Sequence, residues 1–243
     1  MNIETNYIVK KYGKKTVLNL NGEYNHLLFE SGKIHGIIGP NGAGKTVLMK
    51  IIAGLVSQTE GEIVYNGQTF SQSISLNMTC SNQYPVLFAR SIYENIAYPL
   101  RIRKYREADI KIIVGGLLEE FQIADIQNQS AKNISGGEAQ KTALARALSF
   151  SPRVLFLDEP TASIDPKSIQ VMEAALIRRN VTEGLTVIIV THNLSQAFRI
   201  CNQLLFLNQG QCLFSGTRQN LTNSSDPVIQ EFISSNFFEP VLN

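Results

Sequence analysis

Gly39-Pro40-Asn41-Gly42-Ala43-Gly44-Lys45-Thr46 fits the spacing G-x-x-x-x-G-K-[ST]. Glycines so placed let a loop bend and bring backbone N–H groups around a phosphate without Cβ clashes. A helix beginning near Gly44 sets the positive end of its dipole beneath the same anion. Lys45 then reaches the β- and γ-oxygens and the Thr46 hydroxyl ligates Mg²⁺, with Val47 in the next position counted among the nucleotide contacts. A strand before the loop and a helix after it distinguish the motif from a glycine-rich turn between core elements. The pattern implies ATP or GTP binding.

Two adjacent acids, Asp158 and Glu159, end the apolar run Val154-Leu155-Phe156-Leu157. A buried strand delivers such residues to the carboxyl edge of a sheet, where α/β proteins place ligands. There Asp158 can hold Mg²⁺ directly or through water, and Glu159 can orient or deprotonate an attacking water. The alternative is a solvated Asp-Glu pair capping a strand. Thr191-His192 closes another apolar run, 187–190, and offers an imidazole to the γ-phosphate. His26 and His35 have no such placement and read as structural.

Strand-like and helix-like segments alternate around these residues, which favours an α/β architecture with a largely parallel sheet. Residues 33–38 form a short apolar strand, and 46–56 place Val47, Leu48, Ile51, Ile52 and Leu55 at helical spacing. Residues 62–65 and 68–70 flank Asn66-Gly67, a hairpin signal, so antiparallel strands accompany the parallel core. Residues 107–123 carry Ile110, Ile113, Val114, Leu117, Leu118 and Phe121 as one helical stripe. Runs 154–157 and 185–190 read as buried parallel strands. Residues 204–207 and 211–214 surround Asn208-Gln209-Gly210, a late hairpin. The mostly helical stretch 90–149 reads as a subdomain inserted in the α/β core, and Asp226-Pro227 starts a last helix.

With 243 residues, 44% hydrophobic and 17% charged, the chain has globular composition, which excludes a disordered, collagenous or disulfide-scaffold protein. Lys+Arg 22 against Asp+Glu 20 gives a net charge of +2, a weaker basic field than duplex-tracking proteins carry, so no nucleic-acid partner is expected. Cys80, Cys201 and Cys212 lie far apart without C-x-x-C spacing and read as reduced apolar side chains in a cytosolic protein. No apolar run approaches the ~18 residues of a membrane span, and the N-terminus lacks a signal-peptide core. A soluble protein is expected, with any membrane role borrowed from a partner.

Ile134-Ser135-Gly136-Gly137-Glu138-Ala139-Gln140 opens a helix rich in Ala and Leu and makes a second anion-ready helix start. Here the sequence resembles the ATP-binding-cassette ATPases, the nucleotide-binding subunits of ABC transporters, whose signature is LSGGQ. Ile134 stands for Leu, Glu138 for Gln, and Lys141 where Arg is common. The resemblance covers essentially the whole chain. It makes Tyr12 the aromatic that stacks on adenine, with a plain hairpin tyrosine as the alternative. It makes Gln83 the Q-loop glutamine near Mg²⁺ and water, Ser163-Ile164-Asp165 the D-loop, and His192 the switch histidine. It further implies a head-to-tail pair of cassettes. ATP lies between the Lys45 loop of one copy and Ser135, Gly136, Gly137 and Asp165 of the other.

The expected fold is therefore α/β. It has a P-loop NTPase core of mostly parallel sheet with helices, an N-terminal antiparallel β subdomain and the inserted α-helical subdomain, in one ABC ATPase domain over 1–243. Expected partners are a second copy, integral membrane permease subunits and a solute-binding protein, at the cytoplasmic face of the cell membrane. The stretch 83–100 and Thr191-His192-Asn193 are similar to importers of oxyanions, phosphate or tungstate. Other importers, an exporter, a non-transport regulatory cassette and a small-molecule kinase are the alternatives. Arg101, Arg103, Lys104 and Arg106 form a basic run, either a solvated helix edge or a surface near the membrane. The apolar segment 84–88 beside Gln83 is the expected dock for the membrane subunit.

Overall fold

The computed structural model describes residues 1–162 and 164–237. Ser163 of the expected D-loop lies outside the described residues. Along the chain run β1 (Ile3–Tyr12), β2 (Lys15–Asn19), β3 (His26–Phe29), β4 (Ile34–Ile38), α1 (Lys45–Ile52), β5 (Glu60–Tyr65) and α2 (Gln72–Ser75). Then come β6 (Met78–Ser81), α3 (Ile92–Ile102), α4 (Glu107–Glu120), α5 (Gly136–Leu148), β7 (Val154–Asp158), α6 (Pro166–Glu183) and β8 (Thr186–Val190). The last elements are α7 (Leu194–Ile200), β9 (Gln203–Asn208), β10 (Gln211–Gly216), α8 (Arg218–Thr222) and α9 (Pro227–Phe237).

β7 and β8 are apolar at every position but the last of β7 and the first of β8, so both faces of their sheet must be covered. The order is β10-β9-β4-β8-β7-β6, with β10 antiparallel to β9 and the other neighbours parallel. Alternate residues feed two cores, as the period of two requires. Leu155, Leu157, Val187 and Ile189 pack with α3, α4, α5 and α6. Val154, Phe156, Ile188 and Val190 pack with α1 and the antiparallel sheet. In that sheet, residues 3–6 of β1 pair with β3 on one edge and β5 on the other, while residues 9–12 pair with β2. A third core joins α7, α8 and α9 to Ile38, Leu204 and Phe206.

Several boundaries differ from the sequence reading. α1 stops at Ile52 rather than continuing to Val56, because Gly54 takes a φ of 71° and the N–H groups of Leu55 and Val56 both turn back to Lys50 O. Leu55, in phase with the apolar stripe, is exposed. Asn66 and Gly67 have φ of 49° and 74°, as a two-residue hairpin turn needs, yet Gln68 makes a single bridge to Tyr65 and 68–70 form no strand. β5 pairs with β1 instead. α4 ends at Glu120, three residues early, where Gln122 adopts a φ of 53°. The late turn is Gln209-Gly210 alone, with Asn208 paired to Gln211.

Candidate functional site

Strand order brings the chemistry together. β4, β8, β7 and β6 are consecutive and parallel. Their carboxyl ends therefore place the 39–46 loop, Thr191-His192, Asp158-Glu159 and the segment leading to Gln83 along one sheet edge.

The loop's glycines answer different needs. Gly39 has φ 140°, and a Cβ there would sit 2.0 Å from Leu207 O on β9. At Gly44, φ is 97° and a Cβ would lie 2.7 Å from Leu18 Cδ2. Around Gly42 (φ 80°) nothing lies within 4 Å of that position. Gly44 is the N-cap of α1 and supplies no side-chain cap, so the first N–H groups of the helix keep their capacity for an anion. Pro40, Asn41 and Gly42 are exposed. Lys45 is buried and donates to Gly39 O at 2.8 Å and Pro40 O at 3.0 Å. Burial pulls its ammonium below the ordinary lysine value, while Glu159 and Asp158 act in the opposite sense. Val47 is half-buried against the α1 core.

Thr46 Oγ1 donates to Asp158 Oδ1 at 2.9 Å. Desolvation raises the Asp158 carboxyl above the usual range, against the lowering effect of that hydrogen bond. Glu159 takes a φ of 45°, rare outside glycine, and its N–H donates to Val190 O at 2.8 Å. That contact with β8 turns the side chain toward two partners. Gln83 Nε2 donates to Glu159 Oε2 at 3.2 Å, and His192 Nδ1 lies 3.1 Å from Oε1. A carboxylate has about four lone-pair sites, so room for a water is left. Gln83 thus holds the acid in this state, and His192, half-exposed, holds its other oxygen.

The second helix start is built as a capping box. Ser135 Oγ accepts from Glu138 N at 3.3 Å, and Ser135 N donates to Glu138 Oε2 at 2.7 Å. The Ser135 hydroxyl also donates to Glu138 Oε2 at 2.7 Å, and it and the Ser135 N–H hold the Glu138 carboxyl below its ordinary range. Ser135 and Gly136 are exposed, whereas Gly137 is buried. A Cβ on Gly137 would meet Asp165 Oδ2 and Ser168 Oγ at 2.6 Å. Asp165 itself caps α6, accepting from Ser168 N at 2.9 Å. Among the described residues no hydrogen bond joins 135–138 to the 39–46 loop. Tyr12 ends β1 half-exposed at the β1–β2 turn, with Lys10 Nζ 4.8 Å from its ring centroid.

Gln140, the last residue of the 134–140 motif, and two residues outside the motifs, Asn95 and Arg146, hold the loop around Gln83. Gln140 Nε2 donates to Gln83 O at 2.5 Å, and Arg146 donates to Val86 O at 2.7 Å. Asn95, fully buried, accepts from Phe88 N and donates to Phe88 O. Their one sequence signal is a polar residue on an otherwise apolar helix face. Tyr84 and Val86 on this loop are 77% and 73% exposed, so the apolar segment meets solvent.

Two of the four cations in the basic run are paired with nearby acids. Arg101 pairs with Glu94 and Glu107, Arg106 with Asp109, and Arg103 lies over the Phe150 ring. His35 is buried with Nε2 3.0 Å from Glu30 O, and burial lowers its pKa; His26 lies 3.7 Å from Glu4. Cys80, Cys201 and Cys212 are free, and burial pushes all three thiols up.

Residues 25–162 match the ABC transporter family. The chain is 43% identical over 211 residues to the tungstate uptake system ATP-binding protein TupC of Peptoclostridium acidaminophilum, covering 87% of this chain and 96% of that protein. It is 34% identical over 241 residues to the phosphate import ATP-binding protein PstB 1 of Lactiplantibacillus plantarum, covering 93% and 87%. Against the methionine import ATP-binding protein MetN of Haemophilus influenzae it is 30% identical over 220 residues, covering 87% of this chain but 64% of that protein. In fold it is similar to cbiO1 from Clostridium perfringens, part of the cbiONQ complex, with a TM-score of 0.80, 22% identity and coverage of 97% and 92%.

Proposed function

This chain belongs to the ABC transporter family as an ATP-binding, ATP-hydrolysing subunit, and from that premise we propose that it powers import of an oxyanion such as tungstate. The tungstate uptake relative supports the substrate class, through its identity and its near-complete coverage. The methionine import relatives favour a second reading, an importer of another small solute. In either case the chain works as two copies with permease subunits and a solute-binding protein, at the cytoplasmic face of the membrane. Among the described residues no helix is long and apolar enough to cross a bilayer, so the membrane-spanning part of this assembly is assigned to the permease subunits.

The order β4-β8-β7-β6, which sets four motifs along one edge, is the observation that carries the site assignment. The 39–46 amides and Lys45 hold the phosphates, and Tyr12 stacks on adenine. Mg²⁺ would suit two hard oxygens already 2.9 Å apart, Thr46 Oγ1 and Asp158 Oδ1, with Gln83, whose amide donates to the adjacent Glu159, as a further ligand, because it takes few protein ligands and keeps phosphate and water. Bound there, it would supply neutralisation of charge on the phosphate oxygens. Glu159 accepts the proton of the attacking water, and His192 donates toward the γ-phosphate. Ser135, Gly136, Gly137 and Asp165 serve the ATP of the second copy. Closure excludes water and supplies helix-end donors that a single copy leaves in solvent. One domain spans 1–243, with 90–149 as its helical insertion.

Gly136→Ala tests the two-copy arrangement. Gly136 is exposed at the start of α5, and nothing lies within 4 Å of where its methyl would sit, so the isolated chain should melt no lower than wild type. ATPase activity should nevertheless fall at least about tenfold, because the methyl occupies the approach of the other copy's phosphates. Full activity would remove the Ser135 turn from the reaction.

The exposed segment 84–88 is the dock for a permease subunit. In the assembled transporter, Leu87→Ala with Phe88→Ala should lower substrate transported per ATP hydrolysed by at least about fivefold while the free subunit hydrolyses ATP as before. Unchanged stoichiometry would remove the dock.

A further inference from the structure

We propose that Gln140 is a positioning residue for hydrolysis, a strut that ties the Ser135 end of α5 to the Q-loop backbone and so to Glu159. The proposal rests on the reading of Glu159 as base and of the Ser135 turn as the contact with the second copy.

Gln140 is buried, one turn into α5, in a helix whose neighbouring buried residues include Ala143 and Leu144. A buried amide is unfavourable unless its hydrogen bonds are made, and an apolar side chain fills such a slot without that cost. Its Nε2 makes one directed bond, 2.5 Å to Gln83 O. Gln83 then reaches Glu159 Oε2 through its own amide at 3.2 Å. Two bonds therefore connect α5 to the carboxylate that handles water.

The other side of α5 is equally constrained. A Cβ on Gly137 would lie 2.6 Å from the side-chain atoms Asp165 Oδ2 and Ser168 Oγ. A shift of the helix end on meeting the second copy's nucleotide is therefore felt at the start of α6 and, through Gln140, at the Q-loop. Arg146, farther along α5, holds Val86 O and keeps the rest of the loop on the same helix. The loop moves with α5, and through Gln140 the movement reaches Gln83. One site thereby sets the readiness of the other.

A double-mutant cycle on the purified full chain distinguishes this coupling from packing. Gln140→Met keeps the length and removes the donor. At saturating Mg²⁺-ATP it should lower kcat about tenfold, with KM for ATP within about twofold of wild type. In a Gln83→Ala background, where the link to Glu159 is already cut, the same substitution should lower kcat by less than about twofold. Gln140→Glu, of equal length and polar, is the second variant should the apolar one melt. Equal losses in both backgrounds, no loss in the wild-type background, or unfolding of both variants makes Gln140 a packing residue and overturns the strut. Absence of ATPase activity in the wild-type chain overturns the underlying hydrolase reading instead.

Discussion

Glu159→Gln should lower ATP turnover by about 10²- to 10⁴-fold, the usual contribution of a positioned base, while nucleotide affinity stays within a few-fold of wild type. The geometry gives the reason for separating the two effects. Glu159 receives Gln83 Nε2 on one oxygen and faces His192 Nδ1 with the other. A glutamine of the same length can still accept from Gln83 and can donate to an unprotonated Nδ1. The left-handed backbone at Glu159 is fixed by its N–H bond to Val190 O, which no side-chain change removes. Position survives, and basicity is lost. Because hydrolysis reopens the closed pair in this reading, the variant should also accumulate as an ATP-dependent dimer on size exclusion. Single-turnover kinetics and gel filtration with and without ATP measure both. Turnover above about a tenth of wild type would dismiss Glu159 as the base.

Local chemistry was legible and long-range contact was not. Gly39, Gly44, Lys45 and Thr46 announce themselves because a phosphate loop needs those types at fixed offsets, and Asp158 because an apolar strand must end somewhere. The parallel β7 and β8 were readable for the same reason: both their faces are buried, so their runs are continuous. The end of α1 was not. Leu55 continues the apolar period, and what stops the helix is Gly54, over whose Cα the Phe70 ring closes from sixteen residues away, leaving 2.3 Å for a Cβ. Likewise Asn66-Gly67 declares a turn but not that β5 will pair with β1, which lies far back in the chain. Gly137 shows the same limit within the candidate site. Its place in the signature suggests a phosphate contact, while its neighbours Asp165 and Ser168 impose a steric demand of their own. Asn95 and Arg146, and the contact that Gln140 makes beyond its motif, are not legible because their partners are backbone atoms of a distant loop, and backbone carries no sequence mark.

Lys45→Ala should act earlier than Glu159→Gln and abolish most of the binding. In the resting chain the ammonium lies against its own loop, donating to Gly39 O and Pro40 O. It is a buried cation, with Asp158 and Glu159 the carboxylates that favour its charge. Phosphate oxygens offer it stronger, ionised acceptors, so the charge that the fold keeps out of water finds its full complement when nucleotide arrives. One charge-assisted hydrogen bond contributes about 1.5–3 kcal/mol, which corresponds to a loss of roughly 10- to 100-fold in ATP affinity on removal. Thermal shift reads the same quantity by linkage. Nucleotide at 1,000 times Kd stabilises the folded chain by about 4.1 kcal/mol, and at 100 times by about 2.7. The alanine variant should therefore lose at least about a third of the ATP-induced stabilisation at a fixed nucleotide concentration. Without nucleotide it should stay folded, since Pro40 is exposed and water can reach its carbonyl in place of the ammonium. Undiminished binding by Lys45→Ala, measured by titration with a fluorescent ATP analogue, would place the phosphates elsewhere than in the 39–46 loop. The two variants divide the work: Lys45 governs whether nucleotide is held, and Glu159 governs whether held nucleotide is cleaved.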